Sequence, residues 1–127
     1  MIPEHQRKKL AELYETSFAL YRASEGDRSD VFYQTDRADD PLGVMEVRAT
    51  DIGGYVSSLI KRGELRNRPP AEALEHLRRL VVLEHPKIAA FCRDHGDEYP
   101  DLVRYMEVLE TCRREAMATL EASLKTS

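Results

Sequence analysis

A chain of 127 residues, 42% apolar and 33% charged, fits one domain and is too short for two of ordinary size. With a mean hydropathy of −0.54 the balance is that of a well-solvated globular protein. No apolar run approaches the roughly 20 residues that cross a bilayer, and the first residues lack the charged-then-apolar layout of a signal peptide, so no membrane association is expected. A net charge of −4 and a pI near 5.6 exclude broad non-specific nucleic-acid binding and leave room only for a local basic patch. Two cysteines, Cys92 and Cys112, are too few for a disulfide framework, which points to free thiols and a cytoplasmic location.

Taken in chain order, Leu10, Leu13, Tyr14, Phe18, Leu20 and Tyr21 recur at spacings of three and four, which predicts an amphipathic helix from Pro3 to Ala23. Pro3 suits its first turn, and Gly26 is expected just past its end in the left-handed conformation. Glu25 to Pro41 then carries six acids against two arginines, and reads as an acidic connection with a short helical turn over Ser29 to Thr35. Its Val31-Phe32-Tyr33 cluster is expected to tuck under the bundle.

Asp40-Pro41 has the form of an N-cap followed by a first-turn proline. From there Met45, Ala49, Ile52, Val56, Leu59 and Ile60 continue one stripe to Gly63, straight across the pair Gly53-Gly54. A glycine inside a helix costs about 1 kcal/mol relative to alanine. The pair therefore marks either a new helix capped by Thr50 or Asp51, or an unbroken helix whose glycines admit a neighbour closely. Continuity of the stripe favours close packing at Gly53 and Gly54.

After Pro69-Pro70 a third helix is expected from Ala71 to about His85, burying Leu74, Leu77, Leu80, Val81 and Leu83. A short fourth spans Lys87 to His95 and stops at Gly96. The last runs from Pro100 or Asp101 to about Leu124, with Leu102, Tyr105, Met106, Leu109, Cys112, Ala116 and Leu120 inward. No segment alternates with period two. The expected fold is all-α: a single-domain bundle of about five helices over residues 1–127, with the two long terminal helices packed together or shared in a homodimer.

The chemistry is sparse. Phosphate-loop, dinucleotide and serine-hydrolase motifs are absent. None of the four histidines has a glutamate three residues before it, as a carboxylate-bridged metal pair would want, and Cys92 with His95 forms a single ligand pair where structural zinc needs two. No catalytic, metal or cofactor site is expected.

The one local reversal of charge runs from Lys61 to Arg79, where Lys61, Arg62, Arg66, Arg68, Arg78 and Arg79 face three acids. Such a basic turn can contact the phosphates of a nucleic acid or another partner, although cations at a helix C-terminus also satisfy its dipole. Val56-Ser57-Ser58-Leu59-Ile60 and Arg62-Gly63-Glu64-Leu65 resemble the recognition helix and basic turn of winged-helix regulators. That resemblance implies DNA binding through residues 50–68, with Pro41 to Arg48 as the first helix of a helix-turn-helix. Pro69-Pro70 occupy the place of a wing hairpin.

Arg79 followed six residues later by His85 resembles the spacing of HEPN-type ribonucleases, with Leu80 where those enzymes place a polar residue. It implies a histidine acid or base beside a phosphate-holding arginine. The leading expectation remains a non-enzymatic regulator or adaptor that binds another protein, with a DNA-binding regulator and a ribonuclease as alternatives.

Overall fold

In the computed structural model, which describes residues 2–34, 40–65 and 68–126, six helices follow one another: α1 (Glu4–Ala23), α2 (Glu25–Gln34), α3 (Pro41–Arg62), α4 (Pro70–Arg79), α5 (Pro86–His95) and α6 (Pro100–Thr126). No strand occurs among the described residues. The terminal helices make the most extensive pairing of the bundle. They run antiparallel, since Lys9 reaches Glu115 while Tyr21 meets Tyr105 edge-on at 5.1 Å. α3 is also antiparallel to α1, with Arg7 at Ile60 and Tyr21 at Glu46.

α3 is unbroken. The Asp40 carboxylate accepts from the Leu42 N–H at 2.9 Å and Pro41 opens the first turn, as an N-cap and first-turn proline should. Met45, Ile52, Val56 and Leu59 are buried along its inner face. Gly63 ends it at φ 71°, the only left-handed residue among those described. The Arg7 guanidinium donates to the Ile60 carbonyl at 2.8 and 3.1 Å and to that of Lys61 at 3.1 Å. The carbonyls at the end of α3 are thus held by α1, and the Lys61 and Arg62 side chains point to solvent.

Several expectations need correction. The acidic connection is largely helix α2, which starts at Glu25 rather than Ser29. Ser24 is the reason. Its N–H closes α1 on the Leu20 carbonyl and its own carbonyl accepts from the Arg28 N–H at 2.8 Å, so one helix hands over to the next with no left-handed residue at Gly26. Asp27 and Asp30 serve the start of α6: Asp27 accepts from the Leu102 N–H at 3.1 Å and Asp30 from the Tyr99 hydroxyl at 2.8 Å. The apolar cluster divides, with Val31 buried and Phe32 38% exposed; the Tyr33 side chain and residues from Thr35 to Asp39 lie outside the described part.

α4 stops at Arg79, six residues before the expected His85. Beyond it Leu80 and Val82, rather than Val81, are buried. The segment is held by side chains from elsewhere. Arg48 donates to the Val81 carbonyl at 3.0 Å, and Arg113 donates to that of Leu77 at 2.9 Å. Glu110 accepts from the Val82 N–H at 3.4 Å and pairs with Arg113 at 2.5 Å. Both ends of that pair are buried, which satisfies the usual demand that a buried charge be matched and hydrogen-bonded. The inward face expected of the last helix is buried at each of its seven positions.

Candidate functional site

Side chains one turn apart on α1 (Tyr14, Ser17, Phe18, Tyr21) face Glu46, Ala49, Thr50, Gly53, Gly54 and Ser57 of α3 across an open cleft of about 520 Å³. Tyr105, Leu109 and Cys112 of α6 floor it. The helical period explains the alignment, because residues three and four apart share a face. Tyr14 and Phe18 lie 4.6 Å apart, and Phe18, expected in the core, is 47% exposed at the lip. The Tyr21 hydroxyl donates to Glu46 at 3.1 Å, and the Arg28 guanidinium lies 3.7 Å over the Tyr21 ring.

The two glycines differ. A Cβ on Gly53 would sit 3.1 Å from the Tyr14 hydroxyl, so the bare backbone there makes room for the end of that side chain. Gly54 is a correction to the expected close packing: a Cβ there meets nothing within 4 Å. It opens the cleft instead of tightening the bundle.

Burial governs the protons of this cleft. It raises the Tyr105 hydroxyl, aided by Tyr21, and raises the Tyr14 hydroxyl, aided by Cys112. It pushes the Cys112 thiol up to about 11. Tyr21 is raised by burial first and by Glu46 second. At neutral pH the lining therefore presents protonated hydroxyls and a thiol that is no nucleophile. Glu46 is the one carboxylate among the lining residues.

On the other side of α3 a second cleft of about 420 Å³ is lined by Thr50, Asp51, Gly54, Tyr55, Ser58, Arg62, Leu65, Arg68 and His76. The Tyr55 hydroxyl is 2.6 Å from His76 Nδ1, and Arg68 Nη1 reaches both the Tyr55 hydroxyl and, at 2.9 Å, His76 Nδ1. Arg62 and Arg68 thus gather here with Lys61 nearby in sequence, whereas Arg66 lies outside the described residues. Arg78 and Arg79 are elsewhere in their chemistry: Arg78 pairs with Glu75 and Glu121, and Arg79 with Glu75 at 4.0 Å. The basic run is therefore divided.

The uninterrupted α3 has no turn between Arg48 and Ile52, so a helix-turn-helix that begins with Pro41 to Arg48 is not formed. Arg79 and His85 share no hydrogen bond among the described residues. His85 is the N-cap of α5, where its Nδ1 accepts from the Lys87 N–H at 3.2 Å. Burial lowers its pKa, helped by Arg48 and Lys87, which keeps it neutral for that capping role. Cys92 packs toward Met106 at 3.9 Å and His95 toward Glu98 at 3.3 Å. No group of three or more metal-ligating side chains converges among the described residues.

Neither cleft was legible as such in the sequence. The α1 and α3 stripes were, but which part of each stripe stays uncovered depends on where α6 lies. Tyr55 and His76 gave no signal, being ordinary helix residues twenty-one positions apart. No helix is long and apolar enough to cross a membrane among the described residues. Comparison with protein-family models, with curated proteins and with solved structures finds no match for this chain.

Proposed function

We propose that the protein is a non-enzymatic regulator or adaptor that binds a helical segment of another protein in the cleft between α1 and α3. The observation that carries this reading is an open groove lined by aromatic side chains between α1 and α3, with Phe18 exposed at its lip. Exposed aromatic side chains over an apolar floor are the usual anchors of protein recognition. From Glu46 to Ser57 the α3 wall extends about 16 Å at about 1.5 Å per residue, enough for anchors at i, i+3 or i+4, and i+7 of an incoming helix. Glu46 at the edge favours a segment that carries a cation beside those anchors.

The occupant is another protein rather than a second copy. The terminal helices bury their apolar faces on each other within one chain, which removes the reason to share them between copies. Buried, protonated hydroxyls and thiol supply no activated nucleophile, consistent with binding rather than turnover.

The test is affinity capture from the native host with the protein and with its Phe18→Asp variant, retained proteins being identified by mass spectrometry. A protein held by the first and lost with the second supports the reading. Identical retention by both would overturn it, as would sedimentation that shows a dimer unaffected by the variant.

A further inference from the structure

The second cleft is separate from the groove, touching it only along Thr50 and the bare backbone of Gly54. Two guanidinium groups line it against a single carboxylate, Asp51, and Glu72 approaches Arg68 Nε no closer than 4.0 Å. Arg62 has no hydrogen-bond or ion-pair partner among the described residues, so all five of its N–H donors are open. Arg68 spends Nη1 on Tyr55 and His76. Arg68 donates to the Tyr55 oxygen, and the Tyr55 hydroxyl lies 2.6 Å from His76 Nδ1. One arginine is thereby held by the protein, while the other lines the same cleft with its donors open.

We propose that this cleft binds the phosphoryl group of a small phosphate monoester, with Arg62 and Arg68 gripping its oxygens. Paired arginines suit a phosphate because each guanidinium offers parallel donors at the spacing of two of its oxygens. The Tyr55 ring, Leu65 and the open backbone of Gly54 supply an apolar wall for the carbon side of the ester. A volume of about 420 Å³ is that of a small-molecule site. A polyanion fits less well: the cationic stripe it needs is interrupted where Glu75 and Glu121 neutralise Arg78 and Arg79, and the whole chain carries −4.

The experiment is a titration of the isotope-labelled protein with phenyl phosphate, read by amide resonances, alongside inorganic phosphate and a short DNA duplex. Saturable shifts at Tyr55, Ser58, Arg62 and His76 are expected, with a dissociation constant on the order of 1 mM or tighter. Arg62→Gln and Arg68→Gln should each weaken binding about tenfold while leaving distant resonances in place, and Phe18→Asp in the neighbouring groove should change nothing. Inorganic phosphate is expected at the same residues, more weakly. Shifts that rise without saturation, binding indifferent to both arginine variants, phosphate bound as tightly as its phenyl ester, or duplex bound in preference to either would each overturn the proposal.

Discussion

Two arginine clusters stand at opposite ends of one scale. Arg113 is buried in α6, its Nε paired with Glu110 and its Nη1 donating to the Leu77 carbonyl, so that both atoms have protein partners. Arg62 and Arg68 sit in an open cleft with donors left over. The same side chain is a structural rivet in the first place and a binding group in the second. What separates them is burial together with how completely the surrounding protein satisfies the guanidinium.

The largest break in that comparison is Glu110→Ala. It strands the Arg113 charge in the core and releases the Val82 N–H, and should cost about 3–5 kcal/mol in urea denaturation. The double variant Glu110→Leu with Arg113→Met removes both charges and should recover a large part of that loss. A double variant as unstable as the single one would show that the hydrogen bonds to the 80–85 segment, rather than the unpaired charge, dominate.

A second effect appears at alkaline pH. The folded protein holds the Cys112 proton up to about 11, against 9.0 for an unhindered thiol, so the unfolded chain releases it first. The contribution is fully present below pH 9 and is lost as pH rises toward 11. Tyr105, also raised by burial, extends the loss above its ordinary value of 10.0. Stability measured across this window should fall, and Cys112→Ala should flatten the part between 9 and 11.

The glycine pair supplies a smaller contrast. Gly54→Ala puts a methyl group into open space and should stabilise α3 by about 0.8 kcal/mol through helix propensity. Gly53→Ala should gain less or lose, because the Tyr14 hydroxyl stands 3.1 Å from the new carbon. Removing that hydroxyl with Tyr14→Phe should let Gly53→Ala recover the missing gain, and thermal melts of wild type, both glycine variants, Tyr14→Phe and the Tyr14→Phe/Gly53→Ala pair read it. Smallest of all, Arg62→Gln and Arg68→Gln should each shift stability by less than about 0.5 kcal/mol, as expected of exposed charges.

Much of the fold was legible because helical periodicity and stop signals are local. Asp40-Pro41 and Gly63 bounded α3 correctly, and the inward residues of α6 followed from spacing alone. What escaped was set by partners distant in sequence. α4 ends at Arg79 where side chains of α3 and α6 hold the chain beyond it, and α2 is helical because Ser24 restarts the ladder while Asp27 and Asp30 face the start of α6. Of the candidate residues, Arg62 and Arg68 could be read as a basic turn. Their convergence with Tyr55 and His76 required α4, which packs on α6, to bring the His76 ring within 2.6 Å of the Tyr55 hydroxyl.

Hydrogen exchange on the protein alone and in complex with a captured partner tests the central claim most directly. The account predicts new protection concentrated in residues 14–21 and 46–57, the two walls of the groove. Protection confined to Arg62 through Leu65 or to α4 and α5, with the groove unchanged, would contradict it.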